Sequence, residues 1–300
     1  MPSKYIEGDV ILQNIRLKTL PDFLDGLDVK GDFICSFNQL SNLIGSPNIV
    51  RGTYNCTHSK LKSLEGATTV IGGPNSKFGI FDCRFNNLES LEFAPTTVTQ
   101  SFYCSYNRIR SNLKGAPSTL RHSFNCNGNK LKSLEGGPTS VGNSYNCDDN
   151  ELTSLKGAPT SVGEILRGPF SCYNNKLNSL EYGPTTVNGS YYCQSNQLTS
   201  LKGAPTTVNG LFNCRDNQLE SLEFAPTIVR GDFVCGLNQI MSLKGIPKYV
   251  EGNFSMRSNR GIPFTEEQIR AVCEVKGNVE LFESTADSKV KVIDGVHFFL

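Results

Sequence analysis

The chain has no tryptophan and only three histidines and three methionines in 300 residues, and its charges nearly cancel, with 29 lysines and arginines against 28 aspartates and glutamates. A net charge of +1 gives no field to draw in nucleic acid or an anionic membrane. No apolar run approaches the roughly 20 residues that a spanning helix needs. The opening MPSKYIEGDVILQN lacks the long apolar stretch of a secretory leader, which predicts a cytoplasmic protein with no membrane partner. Zinc sites use closely spaced ligand pairs, yet there is no C-x-x-C, and His58, His122 and His297 are the only imidazoles. Nor is there a G-x-x-x-x-G-K-[ST], H-E-x-x-H or G-x-S-x-G. These absences point away from an enzyme, from metal and from any cofactor.

What the chain does have is one phrase repeated about ten times: aromatic-x-Cys-x-x-Asn-x-Leu-x-Ser-Leu-x-Gly-x-Pro-x-x-Val. Residues 189–209, GSYYCQSNQLTSLKGAPTTVN, are a clean copy. The register is marked by Cys35, Cys56, Cys83, Cys104, Cys126, Cys147, Cys172, Cys193, Cys214 and Cys235, with Met256 in the eleventh slot and spacings of 21, 27, 21, 22, 21, 25, 21, 21, 21 and 21. A fixed period of this length predicts a solenoid, in which each coil buries its face only against its neighbours.

Within a coil, Val208, Gly210, Phe212 and Cys214 alternate with Asn209, Leu211 and Asn213. Period two predicts a strand with Val, Phe and Cys turned inward. The aromatic slot is filled in every copy, from Phe33 and Tyr54 to Phe233 and Phe254, which predicts a stacked core. Three residues past each cysteine stands an asparagine, with Ser59 as the one break in the row. An inward amide there is expected to satisfy a donor and an acceptor in the next coil. Gly-x-Pro then turns the chain back. Ten cysteines at one repeat position read as small buried hydrophobes. In register they aim alongside one another, so reduced core thiols are expected rather than disulfides.

The segment F-x-C-x-x-N-x-L-x-S-L resembles the L-x-L-x-x-N-x-L segment of leucine-rich repeats. With S-L-x-G-x-P following, it is most similar to the short bacterial class found in secreted effector proteins. The resemblance covers roughly residues 8–261. Two departures, aromatic plus Cys for the usual aliphatic pair and 21 residues rather than 20, leave a generic single-strand β-solenoid open. The resemblance implies a β-rich, leucine-rich-repeat-like curved array of about 10–11 single-strand coils with a small α+β C-terminal cap. It also implies a strand sheet on the concave side that holds a partner protein. Residues 1–30 are then an N-terminal cap with a degenerate first coil (Leu12 in the cysteine slot), 31–261 the solenoid and 262–300 a C-terminal capping segment. Arrays of this kind are encoded by bacteria and their phages, and for a phage-encoded chain the expected role is inhibition of a host protein.

One row is read as structural. After each second leucine stand Glu65, Glu92, Lys114, Glu135, Lys156, Glu181, Lys202, Glu223 and Lys244, alternating in sign from Glu92 onward. Opposite charges then lie side by side, and a slip of one coil sets like charges together. Function is expected where the repeat stops dictating the residue, on the strand positions flanking each cysteine and the one beyond. The candidate partner-binding residues there are Asp82, Arg84, Phe85, Tyr103, Tyr106, Asn125, Asn146, Asp148, Tyr173, Tyr192, Asn213, Arg215 and Arg257. Tyr and Arg are common interface anchors, and the aspartates opposing the arginines break any continuous basic stripe for a phosphate backbone. The two long spacings place insertions at 68–80 and 162–170, a weaker candidate contact surface.

At the end of the array, Thr265-Glu266-Glu267-Gln268 fits a capping box and predicts a short helix over 266–275, followed by strand-like 289–293 and apolar 297–300. Cys273 reads as part of the cap core. Some effectors with similar repeats carry a ubiquitin-ligase domain with a catalytic cysteine. Here seven residues precede the array and about forty follow it, too few for an independent catalytic domain. The expectation is a non-catalytic scaffold, monomeric or weakly self-associating, with a protein partner and no nucleic acid. A structural or adhesive component, or capture of a small polar ligand, are the alternatives.

Overall fold

The structure is a computed structural model and describes residues 4–73, 78–260 and 263–281 together with the backbone of 290–293 and 296–299. Among these residues the chain winds into a parallel β-solenoid. One sheet of 13 strands runs from Val10–Ile11 to Val279–Glu280, each strand pairing with its equivalents one coil before and after. Register is that of the repeat: Tyr191 lies beside Phe212, and Phe212 beside Phe233. A second lane of short strands, five and then eight, runs along the Thr-Val segments from Tyr5–Ile6 to Glu274–Val275. Arg121 N to Thr99 O at 3.2 Å carries the ladder across the division.

Each coil therefore holds two short strands, not one continuous strand, and two neighbouring coils add a third, Arg110–Ser111 paired with Lys130–Leu131. The break falls where Asn209 and Gly210 bend the chain between Thr207–Val208 and Phe212–Asn213. A Cβ at Gly210 would lie 2.9 Å from the Ser190 backbone N, so glycine lets neighbouring coils close up at the bend. The inward alternation is as the sequence predicts: Val208, Phe212 and Cys214 are fully buried, as are Leu219 and Leu222. Neighbouring core rings lie 4.9 to 5.9 Å apart along the whole stack. Each such aromatic pair contributes on the order of 0.5–1.5 kcal/mol beyond its buried area.

The asparagine row bonds backward, to the preceding coil rather than the next. Asn217 accepts from Leu198 N at 3.0 Å and donates to Cys193 O and to its own coil's Cys214 O, both at 3.1 Å. The direction follows from the residue before each asparagine, which turns through left-handed backbone (Asp216 φ 57°, Ser195 φ 53°) and aims the amide back. At the break in the row, Ser59 Oγ still donates to Cys35 O at 3.0 Å. The thiols have a ladder of their own, Cys147 Sγ donating to Ser171 O at 3.2 Å and Cys193 Sγ to Asn213 O at 3.3 Å. All eleven cysteines are free and buried. Burial pushes the Cys35 thiol up to about 12 and the Cys273 thiol up to about 11.

The alternating charge row pairs one way only: Lys156 with Glu135 and Lys202 with Glu181 at 2.8 Å, and Lys244 with Glu223 at 2.5 Å. Each of these three lysines takes the glutamate of the coil before it. These pairs are solvent-exposed, so their effect is on register more than on stability.

At the C-terminal end, helix α1 (Glu266–Val272) begins with the predicted capping box. It stops three residues short of the predicted end because Glu274–Val275 pairs with Tyr249–Val250 and returns the chain to the solenoid. The cap thus adds a coil to both ladders. Together with the coil at Val10–Ile11, this brings the array to thirteen rather than ten or eleven. Arg270 ties α1 down through Glu266 at 2.7 Å, Val275 O at 2.6 Å and Gly277 O at 2.9 Å. Val290–Ile293 and Val296–Phe299 form an antiparallel pair.

The core also shows a size rule between two distant slots. Where the ring is tyrosine, the residue eight before it is small: Ser46 for Tyr54, Gly137 for Tyr145 and Gly183 for Tyr191. Ser46 Oγ bonds the Tyr54 hydroxyl at 2.8 Å, whereas a Cβ at Gly183 would lie 3.0 Å from the Tyr191 hydroxyl and 2.8 Å from Leu155 Cδ1. With phenylalanine the slot holds a larger residue, alanine in Ala204 with Phe212 and isoleucine in Ile246 with Phe254.

Two outcomes follow from this packing. Gly183→Ala is expected to destabilise the protein by about 1–3 kcal/mol through overpacking. Adding Tyr191→Phe should recover most of that loss, as read from a denaturant double-mutant cycle; an additive cycle would refute the size rule. In native protein, none of the eleven thiols should react with a thiol-specific reagent within minutes, and all should react once denaturant is added.

Candidate functional site

Wherever the repeat frees a strand position, side-chain size shapes the surface. The row preceding each cysteine runs Tyr103, Asn125, Asn146, Ser171, Tyr192 over five adjacent coils. Two large rings thus stand about 19 Å apart, four strand spacings, with small polar residues between them. The result is a trough holding a cavity of about 620 Å³, lined by Arg84 and Tyr103 at one end, by Tyr173, Tyr192 and Gln194 at the other, and by Ser123, Asn125, Ser144, Asn146, Asp148 and Ser171 between. Seven of the thirteen sequence-predicted residues meet here: Arg84, Tyr103, Asn125, Asn146, Asp148, Tyr173 and Tyr192.

The other six lie elsewhere. Asp82 is buried and holds Arg84 in a two-point pair, Nε to Oδ1 at 2.9 Å and Nη2 to Oδ2 at 2.7 Å, with the guanidinium 5.2 Å over the Tyr103 ring. This pairing raises the Arg84 pKa further and fixes the wall. Phe85 and Tyr106 belong to a separate surface stack, Phe37–His58–Phe85–Tyr106, with centroids 4.6, 4.5 and 4.7 Å apart. All four occupy left-handed backbone, so their rings leave the strand at its exit rather than over the trough. Asn213 pairs in register with Tyr192, one coil past the trough. Arg215 follows it, and Arg257, at the far end, pairs with Glu280 at 3.2 Å.

Asp148 overturns an expectation. The sequence sets it among the aspartates that oppose the arginines, but it is 1% exposed and no arginine pairs with it. Its Oδ1 accepts from Ser171 Oγ at 2.6 Å and Tyr173 N at 2.9 Å. Burial pushes its carboxyl up to about 7, against the opposing pull of those two hydrogen bonds. The trough amides are also partly committed. Asn125 and Asn146 accept from the backbone N–H two residues on, at 3.1 and 3.0 Å, so their amide oxygens are held; the Asn146 NH2 also leans on the Asp148 carboxyl, and the Asn125 NH2 is the freer donor for a ligand.

Ser123, Ser144, Pro169 and Gln194 were not singled out in the sequence. The signal for three of them was the row three before each cysteine, where small residues open the floor. A second surface was also missed. The Gly of S-L-x-G-x-P is replaced by Phe93, Tyr182 and Phe224, exposed aromatics at φ 65° to 67°. The insertions lie at the bends between lanes; Ile165 and Leu166 of 162–170 are exposed, and part of 68–80 falls outside the described residues. Among the described residues no His/Cys/Asp/Glu group is arranged to hold a metal, and no helix is long and apolar enough to cross a membrane.

The chain matches no protein-family profile and no curated protein sequence. Its likeness to solved structures is in shape. The leucine-rich repeat domain of APL1B superposes with a TM-score of 0.52 at 14% identity, over 94% of this chain and 83% of that one. The fold is that of a leucine-rich repeat protein. YopM from Yersinia enterocolitica WA-314 gives a TM-score of 0.41 at 16% identity; the match takes in 82% of this chain and 63%, under two thirds, of that one.

Asp148 yields a pH prediction. The native carboxyl keeps its proton up to about pH 7, whereas the unfolded one releases it near 3.9. The native state therefore binds more protons between those values, and this group's contribution to stability falls as pH rises through them. Asp148→Asn is expected to stabilise the protein at pH 8, by on the order of 2–4 kcal/mol, with the gain gone by about pH 4. Denaturant melts at the two pH values check this, and an equal effect at both would contradict it.

Proposed function

We propose that the protein is a non-catalytic scaffold that captures a partner polypeptide in the strand-face trough. The observation that carries this reading is the convergence of Arg84, Tyr103, Asn125, Asn146, Asp148, Tyr173 and Tyr192 on one cavity. Tyrosines at both ends provide area at low entropic cost, and a well-packed pocket ringed by polar groups is where binding energy concentrates. Asn125 and Asn146 offer amide donors along the floor, which suits the carbonyls of an extended chain. A trough about 19 Å long takes roughly six extended residues. A rigid ladder beneath it holds the site without an ordering cost on binding. Capture of this kind occludes whatever the segment otherwise contacts, which is how the chain would inhibit a host protein.

The test is retention of a protein from lysate by the tagged full chain. Wild type and a Phe93→Ala/Phe224→Ala control should retain the same stoichiometric partner. Tyr103→Ala/Tyr192→Ala should lose it by tenfold or more. A partner that survives the trough substitutions would move the site elsewhere.

A further inference from the structure

Asp148 is an awkward residue for a purely structural floor. The coils on either side fill its slot with neutral Asn127 and Tyr173, and the fold supplies it with few partners. Its two close hydrogen bonds both reach Oδ1 and the Asn146 amide adds a weaker contact to the carboxyl; no donor lies within 3.5 Å of Oδ2, although the residue is almost wholly buried and lines the cavity. The one cation on the cavity wall, Arg84, is already held at two points by Asp82. On the opposite wall, Gln194 has a buried side-chain oxygen with no partner. The cavity thus presents unmet acceptors on one side, beside the ring of Tyr192.

We propose that this cavity is a socket for a basic side chain, the guanidinium or ammonium of a partner polypeptide, with Asp148 Oδ2 as its ion-pair acceptor. The inference rests on the protein-capture reading above and names the chemistry of the residue captured. A buried carboxylate with one oxygen open pairs with a cation more strongly than a surface one does. Tyrosine faces beside it favour cations further. The asparagine donors on the floor take the flanking carbonyls, which is why a polypeptide fits better than a bare amine.

The groups facing Asp148 are Asp149 beside it, Tyr173 and Ser171 from the next coil, the thiols of Cys126, Cys147 and Cys172, and Arg84 across the cavity. The thiols of Cys126, Cys147 and Cys172 are all raised well above their usual range, which leaves Asp148 as the group that titrates near neutrality. Because its carboxyl titrates at about 7, a cation that needs the ionised form should bind roughly tenfold more weakly at pH 6 than at pH 8.

The experiment is calorimetric titration of the full chain with acetylated, amidated Gly-Gly-Arg-Gly-Gly, its lysine, citrulline and norleucine counterparts, and agmatine. The proposal expects the arginine or lysine peptide to bind, citrulline and norleucine to bind at least about 30-fold more weakly, and the Asp148 carboxyl resonance to move to a lower apparent pKa on saturation. Asp148→Asn keeps the oxygen that Ser171 and Tyr173 use, so it should fold with an unchanged circular dichroism spectrum and lose the preference for the basic peptide. Equal binding of arginine and citrulline peptides, or an Asp148→Asn variant that keeps the preference, overturns the socket. Agmatine binding more tightly than the peptide assigns the cavity to a small molecule and overturns the polypeptide source. If the lysate partner is lost on Tyr103→Ala/Tyr192→Ala but kept on Asp148→Asn, the capture reading stands and this inference falls; if neither change releases it, both fall.

Discussion

Everything in this molecule depends on one coil being held by the coil before it, and the asparagine ladder is what gives that hold a direction. A solenoid has no central core against which a coil can fold alone. The strands in each coil are two or three residues long, too short to specify a register by backbone pairing alone. The asparagine fixes it: through its amide oxygen and nitrogen, Asn217 ties Leu198 N and Cys193 O of the preceding coil to Cys214 O of its own. Each bond lies in a dry interior, where an unmet donor or acceptor costs about 1–3 kcal/mol. Any slip of the stack breaks the whole row together.

Around that ladder the core is matched in size and chemistry. Cysteine fits between rings because it is small, apolar and able to donate weakly to the next coil's carbonyl. The Tyr–Gly and Tyr–Ser pairs show that ring slot and turn slot were adjusted to each other across the coil. The outer charge row does a different task, since its exposed pairs add little stability but disfavour misalignment. Such division of labour leaves the strand face unburdened, and only there do neighbouring coils differ freely.

The strand face is also where the structure accepts a disadvantage. A buried carboxylate with one oxygen unpaired opposes folding at neutral pH, and the neutral residues in the equivalent slots show that the repeat does not require it. A cost of this kind, in a cavity walled by aromatic residues, is characteristic of a site shaped for binding. Arg84, by contrast, is neutralised by Asp82 and stacked on Tyr103, so it is part of the wall.

Period, alternation and the cysteine and asparagine rows were legible in the residues, because a repeat imposes the same physical demand at the same slot each time. The solenoid, its buried thiols, the helix start at Thr265 and the strand-face candidates follow from that. The break of each strand into two was not legible, since Asn209-Gly210 suits a strand or a bend equally until the close approach of the neighbouring coil is seen. The thirteenth coil was hidden because it keeps only the Val-x-Gly-Asn of the phrase (Val275, Gly277 and Asn278) and sets Val279 and Leu281 where the other coils have an aromatic and a cysteine. The burial of Asp148, and the separation of Phe85 and Tyr106 from the trough, were decided by tertiary structure alone. Sequence states which slot a residue occupies; how much water reaches it depends on the sizes of side chains one and two coils away.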